Sequence, residues 1–237
     1  MLGSPHAAPG SLYRAGKSRV AWTQLGGVSM GQNYHEGQRE LQDRFDSRRL
    51  ADRLDEATSD QIGEAYRNFI EERDMFFLAT ADAHGVPQCS YKGGDPGFVR
   101  VLDEQTIAFP SYDGNGMFLS TGNALVNPKV GILFIDFESG TRLRFNGTAS
   151  IDEHDPLLES FPGARLIVRV RAEAVFANCL RYVHHLEKTR RSDFVPTEST
   201  DPPVPDWKLD PWFDGTLPED DSALDPAAPS APAIPQF

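Results

Sequence analysis

The nine-residue run Lys129–Phe137 reads KVGILFIDF and constrains the fold more than any other segment. Asn127-Pro128 bounds it on one side, and its apolar density suits a strand buried within a sheet. The chain around it has the same character. Met75–Ala81 (MFFLATA) is a compact apolar run, followed by an Asp82-Ala83-His84-Gly85 turn in which Gly85 can take positive φ. Val86–Tyr91 returns as a second strand, and Lys92–Gly97 forms a loop. Phe98–Leu102 and Thr106–Phe109 pair as a hairpin around Asp103-Glu104-Gln105. A short helix is expected over Gly116–Leu125, then strands over Arg142–Ile151 and over Arg165–Phe176, where basic and apolar residues alternate.

Helices flank this β region. Between Glu36 and Leu54, Leu41, Phe45, Leu50 and Leu54 recur at helical spacing among charges. Thr58 and Gln61 have the spacing of a capping box, and Ile62, Ala65, Tyr66, Phe69 and Ile70 then form an apolar stripe that needs a sheet to cover it. Asp155–Ser160 is expected to be a helical connection and Tyr182–Lys188 a last helix. The chain therefore divides into an N-terminal extension over 1–35, disordered or the product of a misplaced start ahead of Met30, a β-rich domain over 36–195, and an acidic, Pro-rich tail over 196–237. The tail is expected to be an extended arm or disordered.

The net charge of −12 is concentrated in that tail. Residues 201–237 carry eight acids and a single base, Lys208, which accounts for −7 of the total. Such a balance argues against nonspecific nucleic-acid binding but leaves room for a local phosphate pocket. No apolar run is long enough to span a membrane, and no leader is evident. Two cysteines, Cys89 and Cys179, point to a reducing, cytoplasmic setting and are expected to be small buried hydrophobes rather than nucleophiles. No metal site is expected. His184-His185 read as surface or interface residues on a helix.

The order of these segments resembles the pyridoxamine-5′-phosphate-oxidase-like family of FMN-binding split β-barrels. The carrying pieces are Phe77–Thr80 (FLAT), Gly85–Lys92 (GVPQCSYK), Phe109–Leu125 (FPSYDGNGMFLSTGNAL), Asn127–Phe134 (NPKVGILF) and Arg142–Gly147 (RLRFNG). The resemblance implies a fold that is mainly β with flanking helices. It also implies a bound FMN and a homodimer that builds the flavin site between its subunits. Authentic vitamin B6 oxidases of the family hold the FMN phosphate with an Arg-Lys pair after a Tyr-containing turn. Here Tyr112 matches the tyrosine, but Asn115-Gly116 stands in place of the pair. Their C-terminal Arg-x-His is also missing. The chain looks like the branch described only as flavin-nucleotide binding.

The same residues have a physical reading. A phosphate dianion needs cations, hydroxyls and free amides. Ser90 and Lys92 lie two apart on a strand and share a face, with Cys89 and Tyr91 turned away. An exposed strand edge with a solvated lysine fits the same spacing. Asn115, Gly116 and Met117 open a short helix, with Ser120 and Asn123 one turn on, which suits a phosphate loop or an ordinary turn. Arg142 and Arg144 alternate with Leu143 and Phe145. The resemblance places Arg142 at the flavin ring, where a cation raises the reduction potential. Surface arginines balancing nearby acids are the plainer alternative. Arg100 is a further phosphate candidate, with Val99 and Val101 facing the core.

The function expected from this is an FMN-dependent two-electron oxidoreductase acting through flavin N5, with a small-molecule electron donor or acceptor. The alternative is a flavin carrier without turnover, or a haem or deazaflavin protein in the same barrel.

Overall fold

The computed structural model describes residues 34–199 and 201–229, so the reading of the N-terminal extension and of Met30 lies outside the described residues. Among the described residues seven strands form one antiparallel sheet: β1 (Met75–Ala81), β2 (Pro87–Gly93), β3 (Arg100–Val101), β4 (Thr106–Tyr112), β5 (Lys129–Asp136), β6 (Thr141–Asp152) and β7 (Ala164–Asn178). Their order in space is β2-β1-β5-β6-β7-β4-β3. The KVGILFIDF run is β5, paired with β1 on one side and β6 on the other, so both its edges are satisfied. Among the described residues four α-helices flank the sheet: α1 (Glu36–Arg44), α2 (Arg48–Asp55), α3 (Glu64–Glu71) and α4 (Leu119–Val126). The fold is thus mainly β with flanking helices, a split β-barrel.

The main core lies on one face of the curled sheet. Phe76, Phe109, Phe134 and Phe145 are fully buried together with Ile107, Ile132, Leu143, Val170 and Val175. Phe76 of β1 stacks on Phe98, two residues before β3 at the far edge of the sheet order. Tyr66 and Ile70 of α3 close one side of this core, as the apolar stripe requires. The long β6 and β7 bend where their register shifts between Asn146 and Gly147.

Several local expectations are corrected. The first helical stretch breaks in two at Phe45–Ser47, where Asp46 takes φ 48°, and Leu41, Phe45, Leu50 and Leu54 are exposed. Their charged neighbours form short-range ion pairs (Arg44–Glu40, Arg48–Asp43, Arg53–Glu56), which suit a solvated helix. The Thr58/Gln61 capping box does not form. The helix starts after Gly63, Ser59 accepts from the Gln61 amide, and Ser59 bridges Val175 instead. Tyr182–Lys188 is irregular rather than helical. Both cysteines are exposed, not buried. Residues 201–229 carry three 3₁₀ turns and a buried Val204 and Lys208, where the composition suggests only an arm or disorder.

Candidate functional site

Residues directly opposite one another in an antiparallel sheet point to the same side. Lys92 pairs with Phe76, Phe76 with Phe134, and Phe134 with Leu143; all three apolar partners are buried. Ser90 heads the next inward row, through Leu78, Ile132 and Phe145. Lys92 and Ser90 therefore face inward, and Cys89 and Tyr91 turn out to solvent as their alternation predicts.

Helix α4 lies against β1 and β2 and completes this corner. The Ser90 and Ser120 hydroxyls are hydrogen-bonded at 2.8 Å, and the Asn123 amide donates to Thr80 Oγ1 at 3.2 Å. Two strands and a helix thus bring four polar side chains to one corner of the sheet, where Ser90 lies two residues from Lys92 on the same face of β2. Burial lowers the Lys92 pKa, and among the described residues no hydrogen bond or ion pair holds its ammonium. A half-buried cation with hydroxyl neighbours and no carboxylate is a place where an anion restores what burial removes.

The other candidates fall in different places. Asn115, Gly116 and Met117 form an exposed loop between β4 and α4. The Asn115 side chain accepts from the Met117 amide at 3.1 Å, and Gly116 takes φ 73° with open space where a Cβ would sit. Arg100 is occupied structurally: it donates to Ser160 Oγ at 2.8 Å and stacks on Phe161 at 4.1 Å, while Val99 and Val101 are buried as expected. Tyr112 is half-buried, and burial together with the nearby Asp95 carboxylate raises its phenol pKa. Asp95 is itself held by Arg191 through a bidentate pair at 2.6 and 2.9 Å.

Arg142 and Arg144 share a face, but it is the outward one, opposite to Ser90 and Lys92. Arg142 donates through Nε and Nη2 to the Cys179 carbonyl, with the Nε contact at 3.1 Å. It borders a cleft of about 480 Å³ walled by Tyr34, Leu50, Leu54, Tyr66 and Phe176. Arg144 is exposed. His184 and His185 are exposed, and His185 Nδ1 meets the Glu138 carbonyl at 2.7 Å, so they belong to the surface but not to a helix.

Thr80 and Asp113 escape a reading of the sequence alone. Thr80 follows the buried Leu78 by two residues, a strand parity that places it inward. Asp113 carries no local signal, since its partner Lys208 lies 95 residues away.

The family model for pyridoxamine 5′-phosphate oxidase matches residues 62–194, more than half of the chain. The chain belongs to the pyridoxamine 5′-phosphate oxidase family. The match covers all seven strands together with α3 and α4. Among solved structures, a candidate pyridoxamine 5′-phosphate oxidase from Lactobacillus delbrueckii is 27% identical, covering 50% of this chain and 95% of its own, with a TM-score of 0.40. HupZ of Group A Streptococcus is 22% identical, covering 53% and 99%, with a TM-score of 0.41. HutZ, the heme storage protein of Vibrio cholerae, is 23% identical, covering 49% and 94%, with a TM-score of 0.36. No curated protein matches the chain.

Proposed function

We propose that this protein is a cytoplasmic FMN-dependent oxidoreductase that binds its flavin as a homodimer. The observation that carries the reading is Lys92: a half-buried lysine on the inward face of a strand, without a carboxylate partner, and one pleat from the Ser90–Ser120 hydroxyl pair. The phosphate of a flavin nucleotide fits that donor set in charge and hydrogen-bonding type. Ser90, Lys92 and Ser120 would hold the phosphate end, and the Asn115–Met117 loop has free space at Gly116 for close backbone approach. When bound, FMN supplies hydride acceptance at N5. The chain's own part is to bind, orient and neutralise.

Absorbance of the purified protein tests the cofactor. FMN gives two bands in the blue and near-ultraviolet, a deazaflavin one, and haem a Soret band. Anaerobic addition of NADH or NADPH, followed by air, then tests turnover. Bleaching and recovery support an oxidoreductase. A protein that holds FMN but is never reduced is a carrier. A colourless protein that takes up no added FMN at micromolar concentration defeats the reading.

A further inference from the structure

The one base of the acidic tail is buried. The Lys208 side chain is 3% exposed, and its ammonium contacts Asp113 Oδ2 at 2.6 Å and Asp221 Oδ2 at 2.7 Å. Asp221 is equally buried and also caps its own 3₁₀ turn through the Ala223 amide. Asp113 belongs to the barrel. It follows Tyr112 and opens the Gly114–Met117 loop, and its other oxygen meets Arg165 of β7 at 3.2 Å. Arg165 reaches back to Asp220 of the tail at 3.9 Å. Burial by itself pushes the Lys208 ammonium toward neutrality, but the two carboxylates more than offset this and its pKa lies above the ordinary lysine value. Among the described tail residues, Trp207, Leu209 and Trp212 are exposed, and the Val204 amide donates to the Pro229 carbonyl within the tail itself.

A buried lysine is costly unless it is paired on all sides. Here the pairing crosses from residues 201–229 to one loop of the barrel, and that loop leads directly into α4 and Ser120. We propose that Lys208 is a positioning residue: through Asp113 it fastens the C-terminal segment to the start of the Tyr112–Met117 loop and sets that loop for binding the phosphate end of a nucleotide ligand. The inference rests on the flavin reading for the ligand, but the fastening itself does not.

The two parts separate experimentally in the full-length protein. Lys208→Met breaks the link but leaves Asp221 buried without a partner. Lys208→Met with Asp221→Asn removes the link while keeping the tail's interior neutral, and it serves if the single variant fails to fold. Lys208→Arg retains the cation. Hydrogen exchange of the Tyr112–Phe118 amides reads the fastening. Binding of FMN against riboflavin, followed by flavin fluorescence, reads its consequence.

The double variant is expected to speed exchange in that loop while the β5 and β6 amides stay protected. FMN binding should weaken by on the order of tenfold, with riboflavin barely changed. Lys208→Arg should restore part of both. Unchanged loop exchange in the double variant overturns the fastening. Faster exchange with equal losses for FMN and riboflavin overturns the positioning role. Failure of the wild-type protein to bind either flavin refutes the cofactor reading instead, and loop exchange still decides the fastening.

Discussion

The rings of Phe76 and Phe109 meet edge to face with centroids 4.9 Å apart, although their strands stand four places apart in the sheet. A flat sheet would hold such residues well beyond contact, since neighbouring strands are about 4.8 Å apart. The contact therefore marks where the sheet curls onto itself. Phe76 also touches Phe134 and Phe98, so one ring ties together the two ends of the strand order and its middle. Phe109→Ala is expected to cost about 3–5 kcal/mol, read from urea unfolding. Phe118→Ala is the contrast, because that ring is half exposed and should cost far less. Similar losses for the two would mean that the barrel does not close through Phe109.

A second prediction concerns Gly147, the last residue of the Arg-Leu-Arg-Phe-Asn-Gly segment. A Cβ built there would lie 2.2 Å from the Arg171 carbonyl oxygen and 2.9 Å from Val170 Cγ1. The position sits at the register shift between β6 and β7, where the two backbones are brought close. Since the opposing atom is backbone and cannot swing aside, Gly147→Ala should destabilise by at least about 1–3 kcal/mol. Gly114→Ala, with nothing near its added methyl, is the control. A melting temperature for Gly147→Ala equal to that of the parent would contradict the close approach.

Much of this architecture is legible in the sequence. Alternation in 142–145 and 165–176 and the density of KVGILFIDF identify strands because each needs one or two covered faces, which is a local property. The inward parity of Ser90 and Lys92 is local too. What is not local was not legible. The break near Asp46 comes from a residue in the left-handed region, which apolar spacing does not register. Arg142 and Lys92 are separated by the sheet itself, a fact of pairing register rather than of composition. Lys208 differs again: a lone base among eight acids was visible, but its partners Asp113 and Arg165 are brought to it only by the folded chain.

Lys92 yields a mutational and a pH prediction. Lys92→Ala should weaken FMN binding by about ten- to a hundredfold, the loss of one charge-assisted contact, and spare riboflavin. The folded-state pKa of Lys92 lies below its ordinary value of 10.5 because of burial. The protonated form is thus disfavoured in the free folded protein. That penalty is present below the folded pKa and is relieved as pH rises through it toward the unfolded value. A bound anion reverses the preference, so FMN binding takes up protons in this window and affinity falls as pH rises through it. The apo protein with Lys92→Met should be no less stable than the parent near neutrality. Titrations between about pH 7 and pH 10 check this; a parent and a Lys92→Met protein with the same pH slope would place the phosphate elsewhere.

Vitamin B6 oxidase activity is expected to be absent or slight. The expectation follows from the resemblance, which sets Asn115-Gly116 against the Arg-Lys pair of the vitamin B6 oxidases and finds no counterpart of their Arg-x-His. The Asn115 side chain is already engaged with the Met117 amide in a tight local turn. Efficient turnover of pyridoxine or pyridoxamine phosphate by the purified protein would overturn this.

The last prediction is the homodimer. Ser90 and Lys92 face into the barrel, while Arg142 and Arg144 point out of the other side of the sheet. A flavin seated at Lys92 cannot also meet Arg142 of the same chain through that sheet. If both residues serve one flavin, a second copy must bring its Arg142 to the first copy's Lys92. The surface beside the corner suits such a neighbour, because Met117, Phe118, Leu119, Leu125 and Val126 are all exposed around α4. An inter-subunit site couples flavin to assembly, since a ligand that recognises only the dimer shifts the equilibrium toward it. Light scattering on a dilution series should show dissociation at higher concentration without FMN than with it. Mixing gives a sharper test. Lys92→Ala and Arg142→Ala proteins should each bind FMN poorly alone. Random exchange of subunits in an equal mixture then restores on the order of a quarter of the sites, because each mixed dimer rebuilds one of its two. A monomer that keeps full flavin occupancy at nanomolar concentration, or a mixture no better than its components, would place the whole site within one chain.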